Sequence, residues 1–263
     1  MISSKNTVLR IVAGKVSEPF SVSIKSEAPV KSVAWQVLDK DGAAVCEGAS
    51  ASANFDGSFE AMAWSVECPT LYTINLKVEY ENGDTEELSD RFGYRYMSTQ
   101  GGNFYLNGYP FYMRAYIRGC AAHEHQNNCN LSEYEFYKKN ILMAKSYGYN
   151  TIRFHSVIPP EECFRAADEY GILIHIEMRK SKDNYDNLRE MLLGKNDFLS
   201  NEYLHEIINT LYNHPSFMVY CIGNEIRQPG QKPRVREIAE IVKREDPTRL
   251  FIDTCAHGEY DRG

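Results

Sequence analysis

A glutamate at the end of an apolar run is the residue best placed to do acid–base chemistry. The run Phe217–Glu225 reads FMVYCIGNE and ends in the polar pair Asn224 and Glu225. A strand buried on both faces has this composition, and barrel enzymes keep their reactive groups where such strands end. Apolar walls raise the pKa of a carboxyl group, which suits a general acid that must keep its proton near neutral pH. By itself, Gly-Asn-Glu is equally typical of a solvated glutamate that begins a loop.

A second apolar run, Asn150–Pro160, carries Arg153 and His155. An arginine inside an otherwise apolar strand is costly unless it is paired. A carboxylate at the centre of a barrel, or a hydroxyl of the substrate, would be a suitable partner, and a purely structural ion pair is the alternative. His155 considered alone is more typical of a packing histidine than of a binding residue.

The segment Arg118–His125 is dense in polar groups and contains His123, Glu124 and His125 in succession. Consecutive residues rarely converge on one ion, and the sequence has no HExxH or comparable ligand spacing. We therefore predict a loop that contacts the substrate, and no metal site.

Glu177 is a further carboxylate at the end of an apolar run, Ile172–Glu177. It is either a support for catalysis or a salt-bridge partner of Arg179 or Lys180. The sequence has no nucleophile elbow, glycine-rich phosphate loop or dinucleotide fingerprint, so no cofactor is predicted.

The elements that must position these residues alternate between strand and helix after about residue 104. A capping box at Ser132 and Glu135 begins the first helix, which stops at Gly148; the second opens at Pro159–Pro160 and closes before Gly171. This alternation predicts parallel βαβ units. About five strands fit a complete open sheet as well as part of an eight-stranded barrel. The strands are predicted at Phe111–Tyr116, Thr151–Phe154, Ile172–Ile176, Phe217–Ile222 and Leu250–Ile252, with two further helices around Leu204–Leu211 and Val235–Val242.

Residues 1–97 have the period of β-strands instead. Apolar and polar residues alternate along Leu71–Tyr80, and the run ends at the hairpin signal Asn82-Gly83. A second alternation covers Val33–Val37. Short strands with polar turns over about a hundred residues predict an immunoglobulin-like β-sandwich, so we expect one domain at 1–97 and another at 98–263.

The composition and charge of the chain argue against some classes of partner and location. A net charge of −7 and a calculated isoelectric point near 5.6 argue against a nucleic-acid-binding surface. No segment is apolar over the length of a signal peptide or a membrane span. The 7 cysteines are scattered without CxxC pairs, which is typical of a reduced, cytoplasmic protein.

Taken together, these segments resemble glycoside hydrolase family 2, the family of β-galactosidases, β-glucuronidases and β-mannosidases. The order and spacing of the matching segments agree from about residue 60 onward. The segments are Ala63–Thr73, Phe92–Arg95, Phe104–Pro110, Arg118–His125, Asn150–Arg153, Ala167–Gly171 with Glu177, and Asn213–Ser216 with Gly223–Glu225.

The resemblance implies an immunoglobulin-like domain followed by an incomplete (β/α)8 barrel, and a role for several residues. Glu225 matches the general acid/base, Asn224 the residue that hydrogen-bonds the sugar 2-hydroxyl, and Arg153 the arginine that orients the nucleophile. His123 matches a substrate-contacting histidine. The role of His155 is open, because the family usually has Ser-His-x-Pro where this chain has Phe154–Pro159.

Two features of the family have no counterpart here: an initial jelly-roll domain, and a nucleophile Glu on the seventh barrel strand. Retaining hydrolysis needs two carboxyl groups. We therefore expect a fragment of a retaining glycosidase for β-linked sugars that is inactive alone, and we expect its exposed strand edge to favour homo-oligomers. A non-catalytic carbohydrate-binding or assembly module and an unrelated α/β enzyme are the alternatives.

Overall fold

The computed structural model describes residues 7–119, 130–155, 157–178, 199–224 and 232–255. The chain forms two compact units. The first consists of Met1–Phe111 with Asn209–Pro215, and the second of Tyr112–Ile208 with Ser216–Gly263.

Two antiparallel sheets make up most of the first unit. One has the order β1-β2-β5 and the other the order β4-β3-β6-β7. The alternation predicted for Leu71–Tyr80 is confirmed, because buried side chains recur at every second position of β6. Gly83, with φ of +89°, makes the turn that follows. The strands are β1 (Val8–Val12), β2 (Phe20–Lys25), β3 (Val30–Leu38), β4 (Ala44–Ser50), β5 (Asn54–Gly57), β6 (Tyr72–Tyr80) and β7 (Thr85–Phe92).

Aromatic rings from both sheets meet in one apolar core. Phe20 of β2 lies edge-on to Trp35 of β3, with ring centroids 5.7 Å apart. Gly57 makes this packing possible, since a Cβ atom there would lie 2.3 Å from Phe20 Cζ. A two-sheet sandwich is what the alternating pattern predicts, while its immunoglobulin-like topology stays a prediction.

A small third sheet corrects one predicted strand. Strands β8 (Met97–Gln100), β9 (Asn103–Leu106) and β10 (Tyr109–Phe111) form a meander in the order β10-β9-β8. Phe111 pairs with Phe104 in this meander. The strand predicted at 111–116 is therefore wrong at its start, and the parallel sheet begins only at Ala115.

The segment Asn209–Pro215 completes the first unit from a distant part of the sequence. Asn213 Oδ1 accepts a hydrogen bond from Ile11 N (2.8 Å), and its Nδ2 donates to Leu9 O (2.8 Å). Arg10 donates to Asn209 Oδ1 through Nε at 3.1 Å. The two bonds of Asn213 satisfy backbone groups of the edge strand β1 that the sheet leaves free, and the bond from the Arg10 side chain adds a polar contact beside them.

The second unit is built on a five-stranded parallel sheet whose strands lie in chain order. Helices follow the strands, as the alternation of patterns predicted. The strands are β11 (Ala115–Arg118), β12 (Thr151–Phe154), β13 (Leu173–His175), β14 (Phe217–Cys221) and β15 (Leu250–Ile252). The helices among the described residues are α1 (Glu133–Ser146), α2 (Glu161–Tyr170), α3 (Asn201–Leu211), whose last three residues belong to the first unit, and α4 (Lys232–Glu245).

The helix ends follow from their residues. Ser132 Oγ accepts a hydrogen bond from Glu135 N at the start of α1, and Gly148 beyond its end has φ of +84°. Helix α2 begins just after the predicted proline pair, with Pro160 as N-cap, and ends at Gly171 in the left-handed region. None of the helices within the described ranges has the length and apolarity needed to cross a membrane.

Candidate active site

Three of the residues predicted from sequence come together where neighbouring strands end. Arg153 lies near the end of β12, Glu177 follows β13, and Asn224 follows β14. Strands β12, β13 and β14 are adjacent and parallel, so their carboxyl ends lie at one edge of the sheet. This is the edge at which barrel enzymes place their chemistry.

Arg153 connects the other two residues. Its Nε and Nη2 both donate to Glu177 Oε1, at 2.9 and 2.5 Å, and Nη2 also donates to Asn224 Oδ1 at 2.5 Å. The pairing explains how an arginine can sit in an apolar strand. Among the described residues Glu177 pairs with Arg153, and Arg179 and Lys180, the partners predicted for it, lie outside those residues.

Burial makes this pair energetically significant. The side chain of Glu177 is fully buried and that of Arg153 is 17% exposed. Burial alone would lower the pKa of Arg153, but its hydrogen bond to Glu177 and the charge of that carboxylate outweigh burial and raise it. Within the described ranges, Glu177 Oε2 is buried without a hydrogen-bond donor.

Asn224 is fixed through both its side chain and its backbone. Because Oδ1 accepts from Arg153, the two N–H groups of Nδ2 point elsewhere and can donate to a ligand. The backbone of Asn224 bridges to Cys255, whose N–H donates to Gly223 O at 2.9 Å. The arrangement can therefore present an amide donor, in a set position, to a hydroxyl group.

His155 does not join this network among the described residues. It follows β12, its side chain is exposed, and its backbone N–H donates to Arg118 O at 2.8 Å. Glu225 and His123, the predicted acid/base and substrate-contacting histidine, lie outside the described residues.

A second cluster at the same edge of the sheet was missed by the sequence interpretation. His175 ends β13, Cys221 ends β14, and Cys255 follows β15. The two Sγ atoms lie 3.5 Å apart, and Cys255 Sγ lies 3.3 Å from His175 Nε2. The available signal was position, because His175 and Cys221 lie one residue before the ends of predicted parallel strands and Cys255 follows a third.

The two thiols differ in acidity. The hydrogen bond between them lowers the pKa of Cys255 and raises that of Cys221. Burial opposes the charge on both, while His175 and Arg153 favour the thiolate of Cys255. Cys255 therefore carries the thiolate when one forms.

Comparisons with known proteins identify the barrel-like part of the chain. Residues 97–257 match the family described as glycosyl hydrolases family 2, TIM barrel domain. A Formosa agariphila relative is 31% identical over 166 residues, which cover 62% of this chain and 19% of that protein. A β-galactosidase of Aeromonas hydrophila is 27% identical over 191 residues, covering 71% of this chain and 18% of that enzyme.

Solved structures agree on the fold. The FMN-binding β-glucuronidase from Facaelibacterium prausnitzii L2-6 superposes with a TM-score of 0.71 at 22% identity, covering 94% of this chain and 39% of that one. The chain spans less than a fifth of the length of the two curated relatives named above. Its five parallel strands and their helices fit part of an α/β barrel, and the chain belongs to glycoside hydrolase family 2.

Proposed function

We propose that the protein is a retaining glycoside hydrolase for β-linked sugars and that this chain carries its general acid/base, Glu225. The observation that carries the proposal is the network of Arg153, Glu177 and Asn224, at the edge of the sheet where barrel enzymes keep their chemistry. Glu225 follows Asn224 directly in the sequence. The related β-galactosidase and the β-glucuronidase fold support a carbohydrate substrate.

In this mechanism Glu225 protonates the glycosidic oxygen as the bond breaks and later removes a proton from the attacking water. A second carboxylate forms the glycosyl-enzyme intermediate; retaining enzymes hold the two carboxyl groups about 5–5.5 Å apart. The nucleophile is not assigned to a residue of this chain.

Asn224 donates from Nδ2 to the sugar 2-hydroxyl, and Arg153 positions Asn224 through its bond to Oδ1. Glu177 neutralises Arg153 and holds its guanidinium in place beside Asn224. His123 and His155 are proposed to contact the substrate.

We also propose that the first domain has the immunoglobulin-like topology and that the protein forms homo-oligomers.

The test is hydrolysis by the protein expressed from its complete gene. Aryl β-galactoside, β-glucuronide and β-mannoside are offered, and the first-formed sugar is examined by proton NMR. We expect hydrolysis of at least one substrate with the β-anomer released first. Release of the α-anomer first would contradict the retaining mechanism, and sugar binding without any turnover would favour a carbohydrate-binding module.

Asn224→Ala should lower kcat/KM on the preferred glycoside by roughly 10- to 100-fold, the value of one hydrogen bond that strengthens as charge develops. The control is the matching 2-deoxy glycoside, which lacks the hydroxyl that Asn224 is proposed to bind. On that substrate the variant and the unmodified enzyme should differ by less than about threefold. Equal losses on both substrates would show that Asn224 does not act through the sugar 2-hydroxyl.

A further inference from the structure

His175, Cys221 and Cys255 form a group of metal-ligating side chains that the proposed hydrolysis does not use. We propose that this group, the His-Cys-Cys cluster, binds a single thiophilic divalent cation of the Zn²⁺ class through His175 Nε2 and the two sulfur atoms. This inference replaces the sequence-based prediction of no metal site, and it does not depend on the glycosidase proposal.

The distances between the ligand atoms suit a tetrahedral ion. All three atoms lie within 4.8 Å of one another, with measured edges of 3.5 and 3.3 Å. Bonds of about 2.3 Å to sulfur and 2.0–2.1 Å to nitrogen place tetrahedral ligands roughly 3.5–3.8 Å apart. Shifts of a few tenths of an ångström would therefore bring the two measured edges to this spacing.

The ligand set selects the kind of ion. Two thiolates and an imidazole favour Zn²⁺ and softer cations over Mg²⁺ or Ca²⁺, which prefer oxygen. Two thiolates also neutralise a divalent ion, which matters because His175 and Cys221 are buried. The nearby charge of Arg153 is already met by Glu177, so it does not have to be balanced by the cluster.

The backbone holds two of the ligands on neighbouring strands and the third in an isolated bridge beside them. His175 and Cys221 are the last residues of β13 and β14, and Cys255 is held by its N–H bond to Gly223 O. Ligands on paired strands are positioned more closely than ligands on free loops. Three protein ligands leave the fourth position of a tetrahedral ion to water or another small ligand, the pattern of open zinc sites.

Binding would release protons and change one local hydrogen bond. Cys221 Sγ lies 3.3 Å from Gly223 O and 3.5 Å from Cys255 Sγ, and the thiol must give up its single proton to become a ligand. Gly223 immediately precedes Asn224 in the sequence. An ion bound by the His-Cys-Cys cluster would therefore lie close to the residue that carries the proposed sugar-binding amide.

The experiment is titration of the reduced, chelator-treated chain with Co²⁺, followed by displacement with Zn²⁺. We expect thiolate-to-cobalt charge-transfer bands, visible bands of four-coordinate Co²⁺, and uptake of one equivalent of Zn²⁺ by elemental analysis. Cys255→Ser and His175→Gln should each weaken Zn²⁺ binding by more than about 100-fold, because loss of an outer-shell partner alone costs roughly 10- to 100-fold.

Two matched controls separate this site from other thiols. Cys68→Ser removes an exposed cysteine of the first unit, and a Cys120→Ser/Cys129→Ser chain removes two more thiols; both should keep the Co²⁺ spectrum. Circular dichroism checks the fold of each variant. In the unmodified chain, Zn²⁺ should also protect Cys221 and Cys255 from alkylation, as read by peptide mass spectrometry.

Several results would overturn the inference. One is the absence of a thiolate-to-cobalt band when the reduced chain is titrated with Co²⁺. Another is a Cys255→Ser variant that binds Zn²⁺ as tightly as the unmodified chain. A Cys221–Cys255 disulfide in oxidised protein, with no metal uptake after reduction, would identify the pair as a redox couple instead.

Discussion

Glu225→Gln in the protein expressed from its complete gene should lower kcat/KM for an alkyl β-glycoside by about 10²- to 10⁴-fold, the usual contribution of general acid catalysis. An alkoxide is a poor leaving group and needs a proton as the bond breaks. A dinitrophenyl glycoside needs none, so its glycosylation step should be far less affected. Comparing the two leaving groups in steady-state and burst kinetics separates acid catalysis from binding.

A small anion provides a second reading of the same variant. Azide needs no general base, so it should attack the glycosyl-enzyme of Glu225→Gln. On the dinitrophenyl glycoside it should restore turnover and give a β-glycosyl azide as the product. Glu161→Gln, at an exposed glutamate in the first turn of α2, is the matched control and should retain full activity. If kcat/KM fell equally for the two glycosides and azide did not restore turnover, Glu225 would not be the general acid/base.

Arg153→Met should reduce the free energy of unfolding of the second unit by about 3–5 kcal/mol, because it leaves a fully buried carboxylate without its cation. The double variant Arg153→Met/Glu177→Leu should recover most of this loss, since a buried pair can often be replaced by apolar residues at little cost. Urea unfolding followed by far-UV circular dichroism measures the effect, because helices α1, α2 and α4 lie wholly within this unit and give a helical signal.

The first unit supplies an internal control. The only two tryptophans, Trp35 and Trp64, both lie within it, so their fluorescence should follow the unfolding of that unit. We expect the fluorescence midpoint to change much less than the circular dichroism midpoint. If Arg153→Met costs less than about 1 kcal/mol, the pair is solvated and the burial of Glu177 is not what holds Arg153.

Local sequence signals were enough to predict most elements of the second unit. Thr151–Phe154 and Leu250–Ile252 match their predicted strands, and Gly148 and Gly171 end helices with positive φ. The strand at Phe111 was misplaced because its apolar residues pair with β9 in a meander. An apolar run of strand length carries no information about which sheet it joins.

Three members of the site, Arg153, Glu177 and Asn224, could be picked out from the sequence one at a time, but their pairing could not. Arg153 needed a carboxylate, which the cost of burying a charge makes clear, yet sequence distance gave no means of choosing Glu177. The His-Cys-Cys cluster was missed for a related reason. His175 and Cys255 are 80 positions apart, and only the pairing of parallel strands brings them together.

The Asn209–Pro215 segment has a consequence for anyone who wishes to recombine these modules. Because it belongs to the first unit while its neighbours on both sides belong to the second, the sandwich cannot be moved into another protein as a single cassette. A transplant of residues 1–111 would leave Ile11 N–H and Leu9 O without the Asn213 side chain. Exchange of this unit between relatives therefore requires that two separate segments, 1–111 and 209–215, be transferred together.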